Sequence, residues 1–338
     1  MNSDETAKAI IKNQFLKDAG IEYPIICGAM YPCGNHELVA ACSEAGGIGV
    51  VQPVTVTLVD GLEFREGLRR IKRLTSKPIA MNVLTEQSSK IYMDKMSKWV
   101  DIAVEEGVRF FVSSLGNPRW IVKRVESVGG KVYHDVTTGK WAMKALEGGV
   151  HGLIGVNNRA GGHTGIKTNL ELYKELNGLG VPLISAGGIG SVEDFIKELR
   201  CGFLGVQMGT RFIATGECKA HDNYKNAILA AGEEDIILTE KLTGVPVSVI
   251  KTEYVNKQGA SPNLIAKWLL NNPRTKHYMR MFYSLTSFAK LKNTALRGDG
   301  SYHGFYQAGK SVKSIDKIES AADIVSRFGS AWKKEFSQ

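Results

Sequence analysis

Short apolar runs alternate with longer amphipathic segments over the first two thirds of the chain. The short runs are rich in valine and isoleucine, which is typical of buried parallel strands, and the segments between them have helical spacing. The predicted strands are residues 24–27, 47–51, 78–83, 108–112, 131–134, 152–156, 182–186 and 203–207. Eight such strands joined by helices favour a closed (β/α)8 barrel of the α/β class over an open sheet.

The segments between the strands predict helices over residues 37–45, 62–74, 91–106 and 170–179. Several of these helices end next to a glycine, as at Gly46 and Gly107, where a helix commonly stops in a left-handed conformation.

The alternation stops after Arg211, and the sequence predicts three regions. Residues 20–215 form the barrel, and residues 216–297, which are richer in charge, form a smaller and mainly helical lid. Residues 298–338 are a C-terminal segment that returns to the barrel, because residues 319–336 are amphipathic and need an apolar surface to cover.

Composition and charge narrow the class of protein. Hydrophobic residues make up 43% of the 338-residue chain and charged residues 23%, which is ordinary for a globular protein. The formal net charge of +9 favours anionic partners, but the basic residues are dispersed and no nucleic-acid-binding motif accompanies them. We therefore expect a small anionic substrate and no nucleic acid.

The five cysteines have no paired spacing and no neighbouring histidine cluster. This pattern indicates a reducing compartment and predicts neither a disulfide framework nor a metal site. The chain has no apolar leader and no uninterrupted apolar stretch of about 18 residues, so we expect a cytoplasmic protein that does not enter the membrane.

Two glycine-rich motifs follow the seventh and eighth predicted strands. The first contains Gly187 and Gly188, and the second contains Gly209 and Thr210. Glycines let backbone N–H groups converge on a phosphate, and phosphate-binding barrels commonly use the loops after these two strands. The two motifs together predict a phosphate site.

Candidate polar groups lie at the ends of other predicted strands. His163 follows Gly161 and Gly162 in the loop after the sixth strand, and an imidazole suits proton transfer near neutral pH. His134 ends the fifth strand and is expected to point into the same mouth. Asn82 ends the third strand, where an amide can bond the pyrimidine edge of a flavin.

Several further residues have less specific signals. Gly28, Ala29 and Met30 close the first strand, where small residues permit backbone contact with a ring. Arg159 and Lys167 are candidates for holding an anionic substrate, although a solvated face explains them equally well. His303, in a glycine-rich turn, is a candidate for folding over the site, and Cys27 and Cys33 lack a partner that would activate a thiolate.

The order and spacing of these motifs resemble the nitronate monooxygenase (2-nitropropane dioxygenase) family over about residues 20–325. The matching segments are residues 23–30, 44–49, 160–165, 186–189, 207–212, 217–221 and 298–309. The resemblance implies a TIM barrel that binds FMN, with His163 as the catalytic residue and no metal. It allows a homodimer.

The resemblance also implies which residues contact FMN. The family's phosphate-binding positions correspond to Gly187, Gly188, Gly209 and Thr210. The amide that contacts the flavin corresponds to Asn82, and the residues that contact the ring correspond to Gly161 and Gly162. The full set of expected cofactor-binding residues is Gly28, Ala29, Met30, Asn82, His134, Ala160, Gly161, Gly162, Ala186, Gly187, Gly188, Gln207, Met208, Gly209 and Thr210.

The implied reaction is oxidation of an alkyl nitronate with O2 to a carbonyl compound and nitrite. His163 would position the anion, or abstract the α-proton of a neutral nitroalkane. The related flavin-dependent enoyl-acyl carrier protein reductases share the barrel and both glycine motifs and remain an alternative, with NADH or NADPH as reductant. A flavin- or polyanion-binding protein without catalysis is a further alternative.

An IMP dehydrogenase-like enzyme is largely excluded. Such an enzyme needs a nucleophilic cysteine after the sixth strand, and this chain has no cysteine between Cys42 and Cys201.

Overall fold

The centre of the molecule is a closed barrel of eight parallel strands. The computed structural model describes residues 13–85, 90–242, 244–259, 291–296 and 304–336. The barrel strands, in order around the barrel, are β1 Ile25–Cys27, β2 Ile48–Val51, β3 Ala80–Leu84, β4 Phe110–Ser114, β5 Lys131–Val136, β6 Gly152–Val156, β8 Leu183–Ala186 and β9 Gly205–Met208. The predicted (β/α)8 barrel is confirmed.

Closure of the barrel is visible in the register of β1. Ile26 lies opposite Ile48 of β2 on one side and opposite Gln207 of β9 on the other. The first and last strands therefore pair with each other, and the sheet has no free edge.

Helices surround the barrel and end close to the predicted positions. They are α1 Gln14–Ala19, α2 His36–Glu44, α3 Phe64–Leu74, α4 Lys90–Glu105, α5 Arg119–Glu126, α6 Gly139–Glu147, α7 Asn169–Leu176, α8 Val192–Cys201, α9 Thr210–Ile213, α10 Asp222–Ala230, α11 Glu253–Gln258 and α12 Ala321–Phe336. Residues 291–296 are also helical, Thr55–Val59 is a π-helical turn, and Glu233–Asp235 and Lys310–Ser314 are 3-10 turns. Gly46 and Gly107 have positive φ angles of 98° and 83°, as expected where helices stop.

Apolar side chains fill the lower part of the barrel and the layer around it. Phe15 of α1 closes the N-terminal end, and its ring packs against Phe110 and Tyr133 at centroid distances of 5.8 and 5.7 Å. A second apolar layer lies between the strands and the surrounding helices. Because the lower barrel is packed, a ligand that enters the barrel can do so at the C-terminal ends of the strands.

The region after the last barrel strand contains a small antiparallel sheet in addition to helices. Its strands are β10 Ile236–Thr239, β11 Val247–Ile250 and β7 Gly162–His163, in the order β10–β11–β7. The sequence pattern predicted a mainly helical region here and did not reveal these strands. The sheet joins residues after the barrel to the loop that holds His163.

The C-terminal helix α12 packs against α2 and α8 in one apolar cluster. Gly329 permits this approach, since a Cβ atom there would lie 2.4 Å from the ring of Tyr23. Within the described ranges, no helix has the length and apolar character needed to span a membrane.

Candidate active site

Polar side chains form a layer at the mouth of the barrel, above its apolar interior. In β5, Tyr133 belongs to the interior, whereas Val132 and Val136 pack against the helices. Because side chains alternate along a strand, Asp135 faces the interior. By the same alternation, the polar residues near the ends of the other strands also face the interior. The layer consists of Gln52, Asn82, Ser114, Asp135 and Gln207.

Asn82 lies in this layer, as expected of a residue that contacts a flavin. Its side chain is buried, and its Nδ2 donates a hydrogen bond of 2.7 Å to Oε1 of Gln52. The bond fixes the amide while leaving its carbonyl oxygen as an acceptor. Gln52 was not singled out from the sequence, because it follows β2 in a stretch without glycines or other signals.

Asp135 and Gln207 form a second polar pair in the mouth. Burial raises the pKa of Asp135 to about 7, although a hydrogen bond from Gln207 acts in the opposite direction. Oδ1 of Asp135 and Oε1 of Gln207 are inaccessible to solvent and have no hydrogen-bond partner within the described ranges. Buried polar atoms without partners are rare in folded proteins, and a ligand with polar groups is one way to satisfy them.

The expectation that His134 points into the mouth is wrong. His134 has the same position in the strand alternation as Val132 and Val136, so it lies on the outer face of β5. Its Nδ1 is 2.8 Å from Oγ of Ser113, and burial lowers its pKa to about 4. It is therefore a neutral, buried histidine that packs behind the barrel wall.

His163 is held at the rim by strand pairing. It forms β7 with Gly162, and the two residues lie opposite Val247 and Ser248 of β11. The side chain of His163 is exposed. Pairing with β11 fixes the backbone of Gly162 and His163. The small sheet therefore positions the imidazole at the rim.

Asn157 stabilises the loop that leads to His163 by hydrogen bonds. Its side chain is fully buried, accepts a hydrogen bond of 2.8 Å from the backbone N of Arg159, and donates one of 3.0 Å to the carbonyl of Gly187. The backbone carbonyl of Asn157 also accepts a bond of 2.8 Å from the hydroxyl of Thr164. One amide thus joins the histidine loop to the first glycine motif.

The first glycine motif is shaped for close approach of other groups. Gly187 and Gly188 have φ angles of 118° and 81°, which other residues rarely adopt. A Cβ atom on Gly187 would lie 2.3 Å from Oδ1 of Asn157, and one on Gly188 would lie 2.5 Å from Nε of Arg159. Ala186, just before them, is buried in the barrel interior.

The second glycine motif lies beside the end of β1. Gly209 precedes α9, and a Cβ atom on it would be 3.4 Å from the sulfur of Met30. The backbone N of Gly28 donates a bond of 2.9 Å to the carbonyl of Met208, so these two strand ends are adjacent. Ala29 is half-buried against the barrel interior.

Met208, an expected cofactor contact, does not direct its side chain into the mouth. That side chain is buried among the outer apolar residues that contact α8 and α12, so it faces away from the mouth. Gln207, the preceding residue, is the one that faces inward.

Gly161 serves a purpose that the sequence did not indicate. A Cβ atom on it would lie 2.8 Å from the backbone N of Gly309, so the C-terminal segment packs against the histidine loop here. The same N of Gly309 donates a bond of 3.0 Å to the hydroxyl of Thr210. Ala160 is buried against the barrel interior. These contacts join the histidine loop to the second glycine motif.

Three cations meet one carboxylate at the rim beside Gly188. Arg159 binds Glu233 through both terminal nitrogens at 2.6 and 2.9 Å, and Lys310 and Lys313 each lie 3.6 Å from the same carboxylate. The hydrogen bond from Arg159 lowers the pKa of Glu233 to about 2. Three cations thus surround the carboxylate of Glu233, while Glu234 and Asp235 follow it in the same 3-10 turn.

The remaining candidates lie away from the mouth or outside the described residues. Lys167 forms an ion pair with Glu175 of α7. Cys27 and Cys33 are buried, and the Cys33 thiol donates a hydrogen bond to Cys218, which together with burial raises the pKa of Cys33. Cys33 is therefore not an activated thiolate. His303 is outside the described residues, and within them no group of three potential metal ligands comes together.

The structure is a closed (β/α)8 barrel with glycine motifs after its last two strands and a polar layer at the same end, which is the end where such barrels bind their ligands. The family model of nitronate monooxygenases matches residues 12–329. The chain therefore belongs to the nitronate monooxygenase family and is an oxidoreductase. Members of this family are flavoproteins.

Individual relatives carry different names. A (3aS,4S,5R,7aS)-5-hydroxy-7a-methyl-1-oxo-octahydro-1H-indene-4-carboxyl-CoA dehydrogenase of Rhodococcus jostii is 29% identical over 72% of this chain and 67% of its own length. A probable nitronate monooxygenase of Staphylococcus saprophyticus is 26% identical over 75% of this chain and 83% of its own length. The structure of FabK from Thermotoga maritima superposes with a TM-score of 0.78 at 25% identity, covering 96% of this chain and 97% of that one.

Proposed function

We propose that the protein is an FMN-dependent nitronate monooxygenase, which oxidises alkyl nitronates with O2 to carbonyl compounds and nitrite. The observation that carries the proposal is His163, which strand pairing holds at the rim of a polar barrel mouth. Family membership supports the reaction class.

The residues present fit FMN. Gly187 and Gly188 carry no side chains of their own and follow β8, whereas Gly209 and Thr210 follow its neighbour β9, so the four residues lie in the two loops suited to a phosphate. Asn82 offers an amide for the polar edge of the ring, and the unpartnered buried oxygen of Gln207 lies in the same layer. Bound FMN would supply the acceptor for an electron from the nitronate and the donor to O2.

The side chains around this position suit an anionic substrate. Arg159, Lys310 and Lys313 lie together at the rim, where their positive charges would attract an anion. His163 would hold the nitronate oxygens by hydrogen bonding, or take the α-proton from a neutral nitroalkane. The packed apolar interior below the polar layer excludes water from beneath the site.

Replacement of His163 tests the proposal. His163→Ala is expected to leave FMN binding unchanged and to reduce nitrite release from propionate 3-nitronate or 2-propyl nitronate by about 100-fold or more, as for loss of a general acid–base group. His151→Ala is the matched control, because His151 lies at the opposite end of the barrel and accepts a bond from the backbone N of Val132. Equal nitrite release by His163→Ala and the wild type would remove His163 from the mechanism.

The second candidate function is reduction or oxidation of a substrate that is carried as a thioester. The cationic rim also suits the phosphates of coenzyme A, and one relative is named as a carboxyl-CoA dehydrogenase. Anaerobic mixing with nitronate in one sample and NADH or NADPH in another separates the two candidates. Flavin bleaching by the nitronate alone supports the monooxygenase, whereas bleaching by the nicotinamide alone supports thioester chemistry.

A further inference from the structure

Asp135 is a half-buried residue whose carboxyl Oδ1 is shielded from solvent, and the packing of the fold does not explain it. It faces the barrel interior near the end of β5, where Ile154 of β6 lies opposite it in the register. Burying a carboxylate without a cation is costly, and an apolar side chain would suit the packing of the barrel better. The carboxylates of Glu106, Glu233 and Glu319, by contrast, all have lysine or arginine partners.

The immediate surroundings of Asp135 supply one hydrogen bond and no charge. Gln207 reaches it from β9 and acts as a donor to the carboxyl group. The adjacent His134 faces the outer side of β5 and is neutral, and the neighbouring strands present Val112 and Ile154 to the interior. In the described part of the chain, the protonation of Asp135 therefore responds to burial and to Gln207.

We propose that Asp135, held by Gln207, is a positioning residue that sets the electron affinity of the flavin bound at the mouth of the barrel. The inference rests on FMN binding as proposed above and does not depend on the identity of the substrate. Both residues lie in the same inward-facing layer as Asn82, and each has a buried oxygen without a partner. A negative charge in such a low-dielectric layer opposes the addition of electrons to a nearby ring, whereas a neutral carboxyl group does not.

The test is the reduction potential of the bound flavin as a function of pH. In the wild type, the reduction potential should fall more steeply with rising pH once Asp135 ionises. Because the pKa of Asp135 is raised to about 7, this change of slope should occur near neutral pH. Asp135→Asn should have the wild-type potential at pH 5.5 and a higher potential at pH 8.5. Gln207→Met removes the hydrogen bond that stabilises the carboxylate, so the steeper part of the curve should begin at a higher pH.

Asp18→Asn is the matched control. Asp18 is a carboxylate at the N-terminal end of the same barrel, where it accepts a bond of 3.0 Å from the hydroxyl of Tyr133. The same change of charge at that end should leave the potential unchanged at both pH values.

The outcomes separate this inference from the proposed function. Identical curves for the wild type and Asp135→Asn, with FMN bound to both, would overturn the role of Asp135 and leave the proposed function intact. An equal shift at pH 5.5 and pH 8.5 would also overturn it, because a structural disturbance does not follow the ionisation of one group. A wild-type protein that binds no FMN would overturn both.

Discussion

Asn157→Ala is expected to destabilise the protein and to loosen the site, because one buried amide joins the histidine loop to the first glycine motif. The variant loses the bonds to the backbone N of Arg159 and to the carbonyl of Gly187. Each hydrogen bond contributes about 1 kcal/mol net, and a buried partner left unpaired costs about 1–3 kcal/mol more. We therefore expect the free energy of unfolding to fall by about 2–4 kcal/mol.

Urea unfolding of the apoprotein, followed by tryptophan fluorescence, measures this change. The slope against urea should stay the same, because the variant exposes the same surface on unfolding. FMN affinity should fall as well, since Gly187 loses the bond that orients its carbonyl.

Asn158→Ala is the control for this prediction. Asn158 is the adjacent asparagine, and its backbone N, not its side chain, donates a bond of 2.8 Å to the carbonyl of Lys167. This variant should change the free energy of unfolding by less than about 0.5 kcal/mol, as is usual for surface substitutions. If Asn157→Ala were as stable as Asn158→Ala, the reasoning that one amide joins the two loops would be refuted.

Two further predictions concern the glycine motif and the buried carboxyl group. Gly188→Ala adds a Cβ atom at a φ of 81° and 2.5 Å from Nε of Arg159, so FMN affinity should fall by about tenfold or more. Gly178→Ala, at a φ of 90° with no atom within 4 Å of the added carbon, should be destabilised without changing FMN affinity measured by fluorescence quenching. Asp135 has a folded-state pKa raised to about 7, so its contribution to stability is present below about pH 4 and lost as the pH rises through 7. Urea unfolding should find Asp135→Asn more stable, relative to the wild-type apoprotein, at pH 8 than at pH 5 by about 2–4 kcal/mol; no difference between the two pH values would contradict this.

The barrel was predictable from the sequence because its strands are local and chemically distinct. Runs such as residues 152–156 carry the β-branched and apolar residues of a strand buried on both faces, and glycines mark the helix ends between them. Eight such runs leave few alternatives to a closed barrel.

The orientation of side chains near the strand ends was not predictable in the same way. In β5, Val132, Tyr133, His134 and Val136 are all buried, so the sequence shows no alternation between an inner and an outer face. The prediction places His134 in the mouth because it ends the predicted fifth strand, but the strand continues to Val136 and His134 faces the helices. The sequence does contain one indication of which side chain faces the mouth, namely Asp135, an acidic residue within an apolar run.

Non-local contacts were also beyond the sequence pattern. The strand β7 has two residues and takes its identity from pairing with Val247 and Ser248, more than 80 residues later. Arg159 and Glu233 are separated by 74 positions and meet because the segment after the barrel folds back over the rim. Periodicity within a short window carries no information about either contact.

Charged groups lie at two levels of the barrel mouth, at the rim and in the interior polar layer. At the rim, the hydrogen bond from Arg159 lowers the pKa of Glu233 to about 2, so this carboxylate stays ionised near neutral pH. The interior layer contains Asp135, whose charge changes near neutral pH. If the two groups act independently, substrate binding and electron transfer respond to pH separately. On the role proposed for Asp135, protonation of this one carboxyl group would then set how readily the site accepts an electron, while the ion pair of Arg159 and Glu233 at the rim is unchanged.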